Sequence, residues 1–243
     1  IALALQRIHE QAALNIKTLE NQLLLLGDLP GSNFRVVLKP GAEGTVDVVV
    51  VGEKEPTLRG SITFDNSGSR YLGPYMVSAS LQLYNLPFMF HQTTLGVSSS
   101  LQRQELSMVS LSHQMPLWYP GLSLTVDASY TRGQPGYTLK VNDIESNAFQ
   151  FGMHVDWQVL RQRTGSLTLT AGAILHNSDT NILSLPFTHD NIRELSAGVR
   201  YDWRDFMEGY NLAQLVLSQG IAGILGGSHT GDADLSRAAG QAD

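Results

Sequence analysis

The chain has 243 residues, 42% of them apolar and only 16% charged, with a formal net charge of -6 and no cysteine. The missing cysteines exclude disulfides, thiolate metal sites and cysteine nucleophiles, and an acidic chain without a Lys/Arg run excludes a nucleic-acid surface. A charge share well below the quarter or so of soluble domains, with a mean hydropathy of only -0.06, is what strands with one greasy and one wet face produce.

The first zone carries helical signals. Leu19, Leu23 and Leu26 fall at i, i+4 and i+7, one helical face. Asp28-Leu29-Pro30-Gly31 then ends the helix, because Pro cannot continue it and Gly turns it. Phe34–Leu38 and Thr45–Val51, separated by Pro40-Gly41-Ala42-Glu43-Gly44, predict a β-hairpin. A lone helix and hairpin bury little surface, so residues 1–52 are expected to be the end of a small α/β module. Residues 53–58, with Pro56, form a short linker. The chain opens on Ile1 with neither Met nor a leader pattern, so a natural start is expected upstream.

From residue 59 onward nearly everything alternates with period two. Leu122, Leu124, Val126, Ala128 and Tyr130 alternate with Ser123, Thr125, Asp127, Ser129 and Thr131. Phe149, Phe151, Met153, Val155, Trp157 and Val159 alternate with Gln150, Gly152, His154, Asp156 and Gln158. Leu195, Ala197, Val199, Tyr201 and Trp203 alternate with Ser196, Gly198, Arg200, Asp202 and Arg204. Successive strand side chains point to opposite faces, and runs of about ten residues suit a tilted strand crossing a bilayer. Tyr84 and Phe88, Trp118 and Tyr119, and Tyr201 and Trp203 sit at strand ends, as interfacial girdles do. A large soluble β-sandwich also alternates, but with shorter strands. The expected fold is therefore mainly β: a transmembrane antiparallel β-barrel over residues 59–243, with the small module before it.

Nine strands are predicted, near 59–66, 75–84, 92–101, 106–115, 122–131, 148–160, 166–176, 193–204 and 210–221. A bacterial single-chain barrel has an even strand number, so more strands are expected beyond this sequence. Short turns after the even strands and longer loops at 134–147 and 177–191 give the asymmetry expected of periplasmic and outer sides.

These residues resemble a known family. Leu19-Glu20 and Leu23-Leu24-Leu25-Leu26-Gly27-Asp28-Leu29-Pro30-Gly31 resemble the last helix and turn of a POTRA domain, and Val37-Leu38-Lys39-Pro40-Gly41 the strand after it. Asp65-Asn66-Ser67-Gly68-Ser69-Arg70-Tyr71-Leu72-Gly73-Pro74 resembles the first barrel hairpin of two-partner secretion transporters of the haemolysin and haemagglutinin activator type. Asp202–Gly209, Asn211-Leu212 and Ser218-Gln219-Gly220 resemble a later turn and strand of that family. The resemblance implies two periplasmic POTRA domains, a sixteen-stranded outer-membrane barrel, and export of one large exoprotein whose secretion domain the POTRA domains capture. It implies no cofactor. The plug helix and the Val-Arg-Gly-Tyr-type lid motif of the family are absent from this sequence.

Capture by strand addition would use an exposed sheet edge and the groove beside it, here Phe34, Val36 and Leu38 next to the helix that carries Leu19 and Leu23. Leucines at helical spacing equally form a core. Asp65–Gly73 reads as turn chemistry. Asp127, His154, Asp156, Arg200, Asp202 and Arg204 are expected to face the barrel lumen, lining a conduit or forming a structural polar network. No hydrolase elbow, zinc-protease or phosphate-loop motif is present, so no enzyme is expected. The partners expected are a secreted exoprotein and outer-membrane lipid. An assembly factor of the same superfamily and a passive porin are the rival readings.

Overall fold

The computed structural model describes residues 16–42, 46–54, 57–102, 105–229 and 231–236; for Val36 and Leu38 it describes the backbone alone. Helix α1 spans Ile16–Gly27, and the hairpin is β1 (Ser32–Pro40) and β2 (Val46–Lys54). Phe34 pairs in register with Gly52 and Leu38 with Val48. β2 runs two residues past position 52, to Lys54.

Nine strands follow: β3 (Leu58–Asp65), β4 (Met76–Tyr84), β5 (Gln92–Ser100), β6 (Leu106–Pro116), β7 (Leu122–Gly133), β8 (Glu145–Gln162), β9 (Gly165–Ile182), β10 (Leu185–Arg204) and β11 (Tyr210–Gly220). They form one antiparallel meander in chain order, with β3 and β11 as its edges. The sheet is open, and among the described residues no helix is long and apolar enough to cross a membrane.

The register sorts side chains into two faces. Val126, Met153 and Ala173 lie in one cross-strand row, and Thr125, His154 and Gly172 in the next. The outer face carries Ile62, Phe64, Val97, Val109, Leu195 and Leu217, all exposed. The only buried apolar side chains among the described residues are Leu19, Leu25, Leu26 and Ile192. A soluble sandwich would hide its apolar rows between two sheets. Here they form one continuous exposed surface, which water does not tolerate at this size and lipid does.

β8, β9 and β10 run 18, 18 and 20 residues. At about 3.3 Å per residue and a tilt near 40°, 18 residues rise roughly 45 Å against a hydrocarbon core of about 30 Å. The surplus projects at the end of the sheet away from α1. The loop expected over 177–191 is instead a continued ladder closed by Leu183 and Ser184, both with positive φ (53° and 61°). Asn177-Ser178-Asp179-Thr180-Asn181 is polar on both faces there, so alternation stops while backbone pairing continues. The β7–β8 connection folds back on the β3–β4 turn, with Gly136 N–H donating to Tyr71 O at 2.7 Å and Arg70 over the Tyr137 ring. Asp65 accepts from the Ser67 backbone and hydroxyl, which gives Asp65–Gly73 the turn role its composition predicts. His229 and Asp232 hold a turn of the segment after β11, through His229 N–H to Asp232 Oδ2 at 2.7 Å.

Candidate functional site

The inner face between β6 and β11, together with α1, lines a half-open cavity of about 920 Å³. Leu25, Leu26, Leu29, Pro30 and Phe90 line its helix side; Asp156, Gln158, Ser166, Thr170, Arg200 and Asp202 line its wall. One rim is greasy and the opposite wall is charged.

A β-bulge builds the junction. The β8–β9 register shifts between Gln158 and Leu160, leaving Val159 as the extra residue. Without it, Arg161 would follow Trp157 and Val159 onto the outer face. With it, Leu160 pairs outward with Leu167, and Arg161 pairs with Ser166 on the inner face. Bulges re-aim side chains in this way at barrel rims. There the Arg161 guanidinium grips Asp28 with two parallel bonds, Nε to Oδ2 at 2.7 Å and Nη2 to Oδ1 at 3.1 Å. Asn21 Nδ2 donates to Arg161 O at 3.1 Å, and Arg163 pairs with Glu20 at 3.3 Å. Gly121 completes the seat: at φ 77° a Cβ there would sit 2.9 Å from Gln158 O and 3.0 Å from a Leu25 methyl.

Five of the six expected lumen residues converge on the inner wall. His154 stands between two carboxylates, Nε2 at 3.4 Å from Asp156 and Nδ1 at 4.0 Å from Asp127. Thr170 donates to Asp156 at 2.6 Å. Arg200 and Asp202 form a bidentate pair, Nε to Oδ2 at 3.0 Å and Nη2 to Oδ1 at 2.9 Å, and Ser166 donates to Asp202 at 3.3 Å. Gly152 makes room for this row, since a Cβ there would lie 2.6 Å from an Asp127 oxygen. Arg204 does not join the network. It lies at the β10–β11 turn, paired with Glu208 at 3.3 Å and over the Tyr210 ring, because the inner wall ends there.

The residues expected to capture a partner divide differently. Leu19 is 6% exposed and so belongs to the core of the small unit rather than to a contact surface. Leu23 is half-buried. Phe34 packs against Phe90 of the β4–β5 turn, with ring centroids 6.0 Å apart, so it joins the small unit to the sheet. Among the described residues, β1 pairs with β2 alone, leaving its other edge without a strand. The Val36 and Leu38 side chains lie outside the described residues.

Tyr84 also departs from expectation. It faces inward, donating to Gln82 at 2.9 Å beneath the Arg59 guanidinium, because Leu83 takes the outward position. Tyr201 and Trp203 stack on the outer face at 5.2 Å, and Tyr119 meets Trp157 edge-on at 6.1 Å, as an interfacial girdle requires.

Residues 44–229, well over half the chain, match the model of the haemolysin secretion/activation proteins ShlB/FhaC/HecB. The chain belongs to this family. Its members are outer-membrane β-barrel transporters. The fold is similar to CdiB from Escherichia coli (TM-score 0.78, 15% identity, 95% of this chain and 44% of that one). It is also similar to CdiB from Acinetobacter baumannii (TM-score 0.67, 13% identity, 88% and 42%). BamA from Haemophilus ducreyi, in a form lacking POTRA domains 1–3, shares the fold more loosely (TM-score 0.51, 13% identity, 91% and 46%). The chain thus spans less than half the length of each of these structures. No curated protein matches it. The ShlB/FhaC/HecB match begins just before β2, so α1 and Asp28 lie outside the matched span, while Arg161, on which they are seated, lies within it.

Asp28, Asn21 and Arg161 were missed as site residues. Asp28 carries a visible helix-stop signal and nothing more. Arg161 is hidden by the bulge, since Val159-Leu160 reads as unbroken apolar strand.

Proposed function

We propose that this chain contains the end of a periplasmic POTRA module and the front strands of an outer-membrane barrel, and that the parent protein exports a large partner exoprotein through that barrel. The observation that carries this reading is the seat of α1. A helix of the small N-terminal unit is tied by Asp28 and Arg161 across the mouth of a charged inner wall, in a chain of the haemolysin secretion/activation family. In this reading the N-terminal segment stands in the periplasm, the turns after β4, β6, β8 and β10 face it, and the long ladders of β8 to β10 project outward. The edge of β1 that has no strand partner among the described residues offers backbone groups to an extended exoprotein segment, with Val36 and Leu38 in that strand and Leu23 on the neighbouring helix. The wall of Asp127, His154, Asp156, Arg200 and Asp202 sets three carboxylates against one guanidinium and an imidazole, so it presents a hydrated, acidic surface.

The test is a secretion assay in cells carrying the parent gene and its large exoprotein gene. Exoprotein lost from the medium only when the barrel gene is deleted supports export. Exoprotein that still reaches the medium while other outer-membrane proteins decline supports an assembly factor, the reading favoured by the likeness to BamA. A passive porin is disfavoured by the helix across the mouth. Within the export reading, Phe34→Asp breaks the Phe34–Phe90 contact and is expected to reduce exoprotein in the medium while leaving barrel levels in the membrane unchanged. Unchanged export at normal protein levels would contradict it.

A further inference from the structure

Outside the mouth, two histidines carry chemistry that transport does not use. His91 closes the β4–β5 turn, and His113 lies on β6 directly opposite Thr93 of β5. Both imidazoles are half-buried at the outer rim of the helix end. His113 Nδ1 lies 2.8 Å from Thr93 Oγ1, and His113 Nε2 lies 3.0 Å from His91 Nδ1. With the Thr93 hydroxyl accepting from Nδ1–H, Nε2 keeps a free lone pair, the arrangement by which outer partners present an imidazole to a metal. Two nitrogens bound to one Zn²⁺ at about 2.0–2.1 Å stand about 2.9–3.4 Å apart for angles between square and tetrahedral. The observed spacing lies in that range. Burial, and then the neighbouring His113, hold the His91 imidazole below its ordinary pKa.

We propose that His91 and His113 form a two-histidine site for a divalent transition metal such as Zn²⁺, linking the β4–β5 turn to β6. No three metal-ligating side chains converge among the described residues, so water completes the coordination and the ion exchanges freely. The location gives the ion a consequence. Phe90 of the same turn packs on Phe34, and Asn85 Nδ2 donates to Gly31 O at 3.2 Å. A metal here stiffens the turn on which the small N-terminal unit rests. The site stands independently of the export reading.

The competing account is a plain hydrogen bond between two neutral imidazoles. The test is Zn²⁺ titration of the full-length parent protein in lipid, at about pH 7.5, against a chromophoric chelator. The expected result is one micromolar site, weakened about tenfold or more in His113→Ala and in His91→Gln, and lost as pH falls below about 6. Thr93→Val is expected to weaken it a few-fold while both ligands remain. A titration identical in parent and both histidine variants, or no binding at roughly millimolar Zn²⁺, would overturn the proposal. Cu²⁺ resonance spectra of the unmutated protein give a readout independent of variant folding: two coordinating nitrogens support the site, and none overturns it.

Discussion

The inner wall is built in two chemistries on one meander. At mid-height, β3 to β6 present Ser61, Thr63, Ser78, Ser80, Ser98 and Ser110. Their hydroxyls pair across strands, Ser61 with Ser80 at 2.9 Å and Ser78 with Ser98 at 2.8 Å. From β7 to β10 the same face carries carboxylates, an imidazole and guanidinium groups. Both halves obey the same alternation, and both pair polar groups on the inner face. The difference is in reach. Short hydroxyls satisfy one another within the sheet and leave a smooth surface. Long charged side chains extend off the sheet, and at Arg161 one of them catches a second element. The charged half therefore positions α1, and the hydroxyl half leaves space beside it.

The sharpest contrast, however, lies between the two faces, and it gives the largest expected effect. Val155 faces outward between Leu124 and Ala171, seven residues from the helix end of β8. With the rise and tilt used above, that is roughly 18 Å, near the midplane of the hydrocarbon. Val155→Arg is expected to cost about 2–4 kcal/mol in equilibrium unfolding from lipid. Ser98→Arg, on the inner wall, is expected to cost less than about 1 kcal/mol. Equal costs would mean the faces are reversed.

The second prediction concerns the junction. Asp28 and Arg161 are partly exposed, so their bidentate pair contributes about 1 kcal/mol rather than the larger value of a buried one. Asp28→Ala and Arg161→Ala are each expected to raise protease cutting around residues 28–31, and the double variant to raise it no further than either single one. Additive effects would show that the two side chains do not act as a pair.

The smallest effect is in the β10–β11 turn. Asp205 accepts from Asn211 Nδ2 at 3.0 Å and from the Gly209 and Met207 backbones. The Asn211 bond foremost, then these amides, hold its carboxyl below the ordinary range. A depressed carboxylate pKa contributes order above the unfolded value, near 4, that is lost as pH falls through the folded one. Hydrogen exchange at Gly209 is therefore expected to lose protection, relative to its intrinsic rate, below about pH 4. Unchanged protection in acid would remove Asp205 as the turn's organiser.

Much of this was legible in the amino-acid order. Strand positions followed from period two, because the membrane punishes any polar residue facing out. β4 to β7 begin and end within two residues of expectation for that reason. The same signal disappears where β9 and β10 leave the membrane, since water accepts either face. It also misleads at Val159, where two apolar residues in succession conceal a change of face. The convergence of Asp127, His154 and Asp156 needed the cross-strand register, which no single strand's pattern contains. The grip of Asp28 on a residue 133 positions away has no local signal at all.

The central claim is that an exported chain passes along the inner wall above α1. Photo-crosslinkers placed one at a time at Gln158 in the cavity, at Ser80 on the hydroxyl wall and at Val155 on the outer face, in the parent protein during arrested secretion of its exoprotein, test this most directly. Crosslinks to exoprotein from Gln158 and Ser80, with none from Val155, are the predicted result. An exoprotein that is still secreted but never crosslinks to either inner position would contradict the account.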